Sequence, residues 1–201
     1  LKTDFYRALL DSSWRQALEE KYGEQLFAIA EMSLKTFHPS VIEDLQEENR
    51  LSSSYNKLKA TAEIEFEGKT YNLSSIQPLE EHTQREKRAA AAKAKWDWLA
   101  GQQAEMERIF DELVKVRHRI AKKLGFDDFI ELGYARMLRT DYDAADVAYY
   151  REQIRQHIVP VATRLYEKQA ERLGLDKLAY YDEPMLFRDG NPQPQGKPEW
   201  I

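Results

Sequence analysis

The sequence predicts a mainly α fold, long antiparallel helices carrying one small β-hairpin. Two observations predict it. Apolar residues recur with a period near 3.6 along most of the chain, punctuated by capping residues, glycines and prolines at helix-like intervals. Only between Thr61 and Leu73 does the period drop to two, the alternation of a half-buried strand pair.

Taken in order, Asp11 or Ser12 is placed to cap a first helix with the stripe Trp14, Leu18 and Tyr22, stopped near Gly23. A second carries Leu26, Phe27, Ala30 and Leu34. It ends at His38-Pro39, because the residue before proline is pushed out of the α region. Pro39 opens a third, with Ile42, Leu45, Leu51, Tyr55 and Leu58 on one side. In the hairpin, about residues 61–73, Ala62, Ile64 and Phe66 alternate with glutamates. Glu67-Gly68-Lys69 turns and Thr70 to Leu73 returns. A lone two-stranded hairpin is marginal in water, so Phe66, Tyr71 and Leu73 must rest on helices or on another strand. The hairpin either covers core or offers a substrate-facing edge.

Ser74, Ser75 and Pro78 read as loop, and Thr83 with Glu86 has the spacing of a capping box. From there to Leu124 the chain is helix-forming, with a kink or break expected at Gly101. Its second half carries the stripe Met106, Ile109, Phe110, Leu113, Ile120 and Leu124, stopped by Gly125. Asp128 and Glu131 form the next capping box, before a short helix with Phe129, Ile130, Gly133, Met137 and Leu138 as its apolar stripe. Asp143 and Asp146 start a last long helix with Val147, Tyr150, Ile154, Ile158, Val161 and Leu165. Pro160 should bend it and Gly174 should close it. The stripes Met106–Ile120 and Ile154–Leu165 are expected to bury each other. The remainder, about 176–197, is rich in Pro, Gly, Asp and Asn and reads as an irregular loop. With no repeat and no linker, 1–201 reads as a single helical segment. The chain starts at Leu1 without Met, and Lys197-Pro198-Glu199-Trp200-Ile201 looks like a helix beginning, so both ends read as cut from a longer protein.

Composition excludes several function classes. A net charge of −5 leaves no basic excess to neutralise phosphates, which argues against nucleic acid as partner. With 42% hydrophobic and 32% charged residues the chain has the make-up of a water-soluble globular protein. No apolar run approaches the roughly 18 residues of a membrane span. There is no cysteine, so disulfides and Cys-based zinc sites are out, in keeping with a reducing, cytoplasmic setting. The histidines, His38, His82, His118 and His157, stand too far apart to share a helix turn, and none precedes a glutamate. No serine sits in a Gly-x-Ser-x-Gly turn and no Gly-rich phosphate loop occurs. The cluster Arg85, Lys87, Arg88, Lys93 and Lys95 reads as a solvated basic face or, alternatively, a seat for an anionic partner. Arg136, Arg139, Asp141 and Tyr142, with Tyr134 nearby, admit two readings. An Arg–Asp pair beside a helix start would lock a helix junction; arginine and tyrosine could instead hydrogen-bond a peptide backbone or carboxylate.

GYARMLRTDY, taken with KLGFDDFIELGY before it, LGLDKLAYYDEPMLFRDGNPQPQGKPEW after it and ENRLSSSYNKLKATAEIEFEGKTYNL upstream, resembles the oligoendopeptidase F group. These are zinc endopeptidases related to thimet oligopeptidase, and the resemblance covers nearly the whole chain. It implies a segment of a larger, two-lobed helical peptidase whose deep channel admits short peptides, which zinc-activated water hydrolyses. The family's His-Glu-x-x-His motif is absent, so the resemblance implies a piece of channel wall upstream of the metal site, itself inactive and without zinc. Its partners would be short peptide substrates and the remaining part of the same polypeptide. On that view Arg139 and Tyr142 are the candidate substrate contacts, and Arg136, Asp141 and Tyr134 the junction residues; no residue is a candidate for catalysis or metal binding. The competing reading is a stand-alone helical interaction module that binds through the hairpin or the 180–197 loop.

Overall fold

A computed structural model describes residues Lys2 to Pro192. In chain order its elements are α1 (Lys2–Leu10), α2 (Arg15–Tyr22), α3 (Glu24–Lys35), a 3-10 turn Pro39–Val41, α4 (Ile42–Ala60), β1 (Ile64–Phe66), β2 (Lys69–Tyr71) and α5 (Gln77–Glu80). Then come α6 (Arg85–Gly101), α7 (Gln103–Lys123), α8 (Phe129–Arg136), α9 (Ala144–Gln153), a π-helical stretch Ile154–Ile158 and α10 (Val159–Leu173). The fold is mainly α with one two-stranded antiparallel sheet among the described residues. The expected end of the loop at 193–197 and the helix start at Pro198 lie outside the described residues.

The chain gathers into two compact groups. One comprises the chain up to Tyr55 with Met106–Glu152, the other Asn56–Glu105 with the chain from Gln153 onward. Each of the three boundaries falls inside a helix, α4, α7 or α9, which is why no linker marks it in the sequence.

In the first group α1 and α2 pack on α3, which buries Phe27 and Ala30. Ser12 Oγ accepts from the Trp14 N–H, yet Trp14 and Tyr22 are exposed, so they are not the buried stripe of α2. The core here is Val41, Leu51, Ile109, Val116, Ile120, Ala121 and Leu132. Ile109, Val116 and Ile120 share one face of α7; Phe110, turned about 100° from Ile109, is 69% exposed and leaves the expected stripe. At the end of α7 the Phe126 N–H reaches Ala121 O and the Gly125 N–H reaches Lys122 O, with Gly125 at φ 85. This is the doubly bonded left-handed stop that glycine takes without a Cβ penalty.

In the second group the hairpin has the register Ile64↔Tyr71, Glu65↔Thr70 and Phe66↔Lys69. Its strands are shorter than the alternation suggests. Glu67 and Gly68 both have positive φ, 47° and 74°, and form a two-residue turn matching the strand twist, so Lys69 pairs instead of turning. Ile64, Ile76 and Ala91 form the buried cluster beneath it, flanked by Phe66, Tyr71, Leu73 and Leu79. Two further differences lie upstream of α6. The Ser74–Pro78 loop runs into α5, and α6 starts from Gln84, whose N–H donates to His82 Nδ1; Thr83 is not its cap.

The basic cluster on α6 is committed within the chain. Arg85 and Arg88 both clasp Asp182, Lys87 pairs with Glu67, Lys93 with Asp97, and Lys95 with the buried Glu80. Asp182 is fully buried and also accepts from the Ala179 N–H. Burial raises its pKa, but Arg85, the Ala179 N–H and Arg88 outweigh that and hold it at about 2. The loop after α10 is therefore irregular but anchored: Met185 is buried, and Gln169 donates to the carbonyls of Glu183 and Met185. Asn191 ties Leu186 to Pro184.

Pro160 is accommodated by the π stretch that precedes α10. The Val159 N–H bonds to Ile154 O, five residues back, in the turn that leads into the proline. Ile158, Val161 and Leu165 of the expected stripe are exposed.

Candidate substrate-contact site

The segment that carries the sequence-derived site residues begins with a well-formed cap. Asp128 accepts from the N–H groups of Ile130 and Glu131 and starts α8. The buried face of this helix is Leu132 and Ala135, with Phe129 beside it. Ile130 and Met137, expected in the stripe, are 64% and 55% exposed. Both faces of α8 are apolar in sequence, so only its packing partner selects the inner one. At its end the Arg139 N–H reaches Tyr134 O and the Leu138 N–H reaches Ala135 O. That geometry puts Leu138 at φ 54, a left-handed conformation a leucine adopts only under strain.

Arg136 and Arg139 then diverge. Arg136 Nη1 donates to both carboxylate oxygens of Glu48, at 3.1 and 2.9 Å, and Arg117 Nε donates to the same carboxylate at 2.7 Å. The Phe129 ring lies beneath both guanidiniums, at 5.4 and 5.6 Å from its centroid. The carboxylate at this helix junction is thus Glu48, 88 residues from Arg136. Asp141 is exposed and accepts from neither arginine among the described residues.

Arg139 stacks instead on the half-buried Tyr142, 4.6 Å from guanidinium carbon to ring centroid. Its Nη2 contacts only Met137 Sδ at 3.5 Å, and its buried Nε has no hydrogen-bond partner. Tyr134, Arg139 and Tyr142 are shared by two clefts. One, of about 520 Å³, runs past Lys35, Phe126 and Ile130. The other, of about 610 Å³, runs past Met137, Val147, Tyr150 and Arg151. Beyond them α9 starts with a reciprocal cap: Asp143 Oδ1 accepts from the Ala145 and Asp146 N–H groups, and Asp146 Oδ2 accepts from the Asp143 N–H. The structure thus gathers Tyr134, Arg139 and Tyr142, sends Arg136 to Glu48, and leaves Asp141 outside. Nothing local in the sequence marks Glu48 or Arg151 as part of this site.

Among the described residues no group of three or more His, Cys, Asp or Glu side chains could hold a metal ion. His38 and His82 accept backbone N–H groups two residues on, from Ser40 and Gln84. The described residues therefore do not fit a catalytic zinc, which takes about three protein ligands and an open position. No helix among the described residues is long and apolar enough to cross a membrane.

Comparisons with known proteins bear on the whole chain. The sequence profile described as Peptidase M3 N-terminal domain matches residues 1–37, and that of Peptidase family M3 matches residues 79–187. A comparison with curated proteins returns no match. Three solved structures align over 98% of the chain. A protein assigned as oligoendopeptidase F from Bacillus anthracis str. Ames is 52% identical, with a TM-score of 0.91. PZ peptidase A, solved with an inhibitor, is 50% identical at 0.93, and a further assigned oligoendopeptidase F is 49% identical at 0.93. The chain spans only 36%, 35% and 35% of those chains. With one M3 profile covering more than half of its residues, and this fold shared at about half identity, the chain belongs to peptidase family M3, among its oligoendopeptidase F-like members.

Proposed function

We propose that this chain is the upstream, non-catalytic segment of a zinc metalloendopeptidase that hydrolyses short oligopeptides in the cytoplasm. On this reading it works as one helical segment, forms part of the channel wall, and leaves the metal to sequence outside it. The observation that carries the reading is the 52% identity over 98% of the chain to an assigned oligoendopeptidase F. The lack of a three-ligand cluster among the described residues accords with a metal held elsewhere. Its partners are then peptide substrates and the remaining part of the same polypeptide.

Within that wall, Arg139 and Tyr142 are the residues we assign to substrate contact, while Arg136 and Tyr134 hold the junction. The support is geometric: Arg136 spends Nη1 on both carboxylate oxygens of Glu48, whereas Arg139 bonds to no carboxylate, keeps its Nε unpartnered and lies at a cleft. The test measures bound zinc and cleavage of a quenched fluorescent oligopeptide, side by side for this chain and for the longer protein that contains it. The chain should be zinc-free and inactive, and the longer protein active and chelator-sensitive. Chelator-sensitive cleavage by the chain alone would place the chemistry here after all. An inactive, zinc-free longer protein would remove the peptidase reading.

A further inference from the structure

We propose that the cleft of about 610 Å³ beside Arg139 is a carboxylate-binding pocket that takes the C-terminal carboxylate of a peptide. The inference rests on the peptide-acting role proposed above and names the group that this site recognises.

Elsewhere in this chain, arginines meet a carboxylate edge-on. Arg85 and Arg88 both present the edge formed by Nε and Nη2 to Asp182, with Nη2 at 2.7 Å from the carboxylate in each case. That edge carries two parallel N–H groups and matches the two oxygens of a carboxylate. Arg139 holds the same edge differently. Nη2 meets a thioether, a weak acceptor, and Nε meets nothing. A buried N–H without an acceptor is costly, so a carboxylate arriving at this edge gains more than it would at a solvated arginine. Tyr142 packs on the face of the guanidinium and takes neither nitrogen of this edge.

The rest of the cleft fits an anion on a peptide. Arg151 also lines it and makes no ion pair among the described residues. The cleft's one carboxylate, Asp146, has Oδ2 engaged by the Asp143 N–H in the α9 cap. Tyr134 and Tyr150 add phenol groups and apolar ring surface for the residue that bears the carboxylate. Met137, 55% exposed and unbranched, covers the Arg139 edge and can swing off it at little cost.

The experiment measures fluorescence anisotropy of a fluorescein-labelled alanine-rich hexapeptide with the chain. Three forms are compared: a free C-terminus, an amidated C-terminus, and an amidated peptide carrying one internal Glu. The free acid should bind about tenfold tighter than the plain amide, as a charge-assisted bidentate pair provides. Arg139→Gln should bring the acid down to the amide's level, Arg151→Gln should weaken it in part, and Met137→Ala should not weaken it. Tight binding of the amidated Glu peptide alone overturns the C-terminal assignment in favour of an acidic side chain. Equal binding of acid and amide, an unchanged preference in Arg139→Gln, or no binding of any form overturns the pocket. The comparison on the unaltered chain needs no variant to fold. If the longer protein failed to hydrolyse peptides, the acid-over-amide preference would be untouched; if the preference vanished with hydrolysis intact, only the pocket would fall.

Discussion

Two guanidiniums and a backbone N–H converge on Asp182, and removing its charge would leave both arginines uncompensated. Asp182→Asn should lower the unfolding free energy by about 3–5 kcal/mol, as breaking a buried pair does; urea titration measures it. The pH dependence has a definite sign. The folded pKa lies below the ordinary value of 3.8, at about 2, so the stabilisation is complete above about pH 4 and is lost as pH falls toward 2. The shift corresponds to about 2 kcal/mol, and the Asn variant should show a flatter acid limb. Gly174 offers a different test. It sits at φ 71, and a Cβ there would lie 1.7 Å from Arg188 Nη2. Gly174→Ala should lower stability by about 1 kcal/mol or more, read as a fall in Tm. Gly174 was legible in the sequence as a stop because its cause is local. Asp182 was not, because its partner Arg88 lies 94 residues away and no periodicity encodes that meeting.

For the helices, the sequence shows that an amphipathic run exists more reliably than it shows which way the run faces. Ile120, fully buried, and Phe110, 69% exposed, lie on the same apolar-rich helix α7. Ile120→Ala should cost about 2–5 kcal/mol, and Phe110→Ala within about 0.5 kcal/mol, in parallel denaturation curves. An equal loss for both would mean that Phe110 is covered. The same ambiguity holds for α8, where Leu132 is buried while Ile130 and Met137 of the expected stripe are exposed. Caps are easier to read, because one side chain and two or three N–H groups settle them. Asp143→Ala should destabilise by about 1 kcal/mol through loss of the α9 cap. The hairpin was legible for the same local reason, apart from the turn, where one residue of register decided whether Lys69 turns or pairs.

At the scale of the molecule, the candidate site was half legible. Tyr134, Arg139 and Tyr142 could be singled out because they crowd one short segment, whereas Glu48 and Arg151 enter only through tertiary packing. The stripe Ile158, Val161 and Leu165 stays exposed along the π-helical stretch and α10. Contiguous apolar surface of this kind promotes association. The chain on its own should therefore sediment as concentration-dependent oligomers, and Leu165→Glu should shift it toward monomer while leaving the unfolding midpoint nearly unchanged. A monomer at all concentrations without the substitution would show that the stripe is inert.

The interleaving of the two compact groups has a consequence for how the chain can be divided. Val41 and Leu51 lie before the α6–α7 break, while Ile109, Val116, Ile120 and Leu132 of the same core lie after it. The Asp182 clamp likewise draws its arginines from one side and its carboxylate from the other. A protease nick at Gln102 would therefore release no self-sufficient domain. Expressed separately, the peptides on either side of Gln102 should each be largely unfolded, and mixing them should restore helicity by complementation.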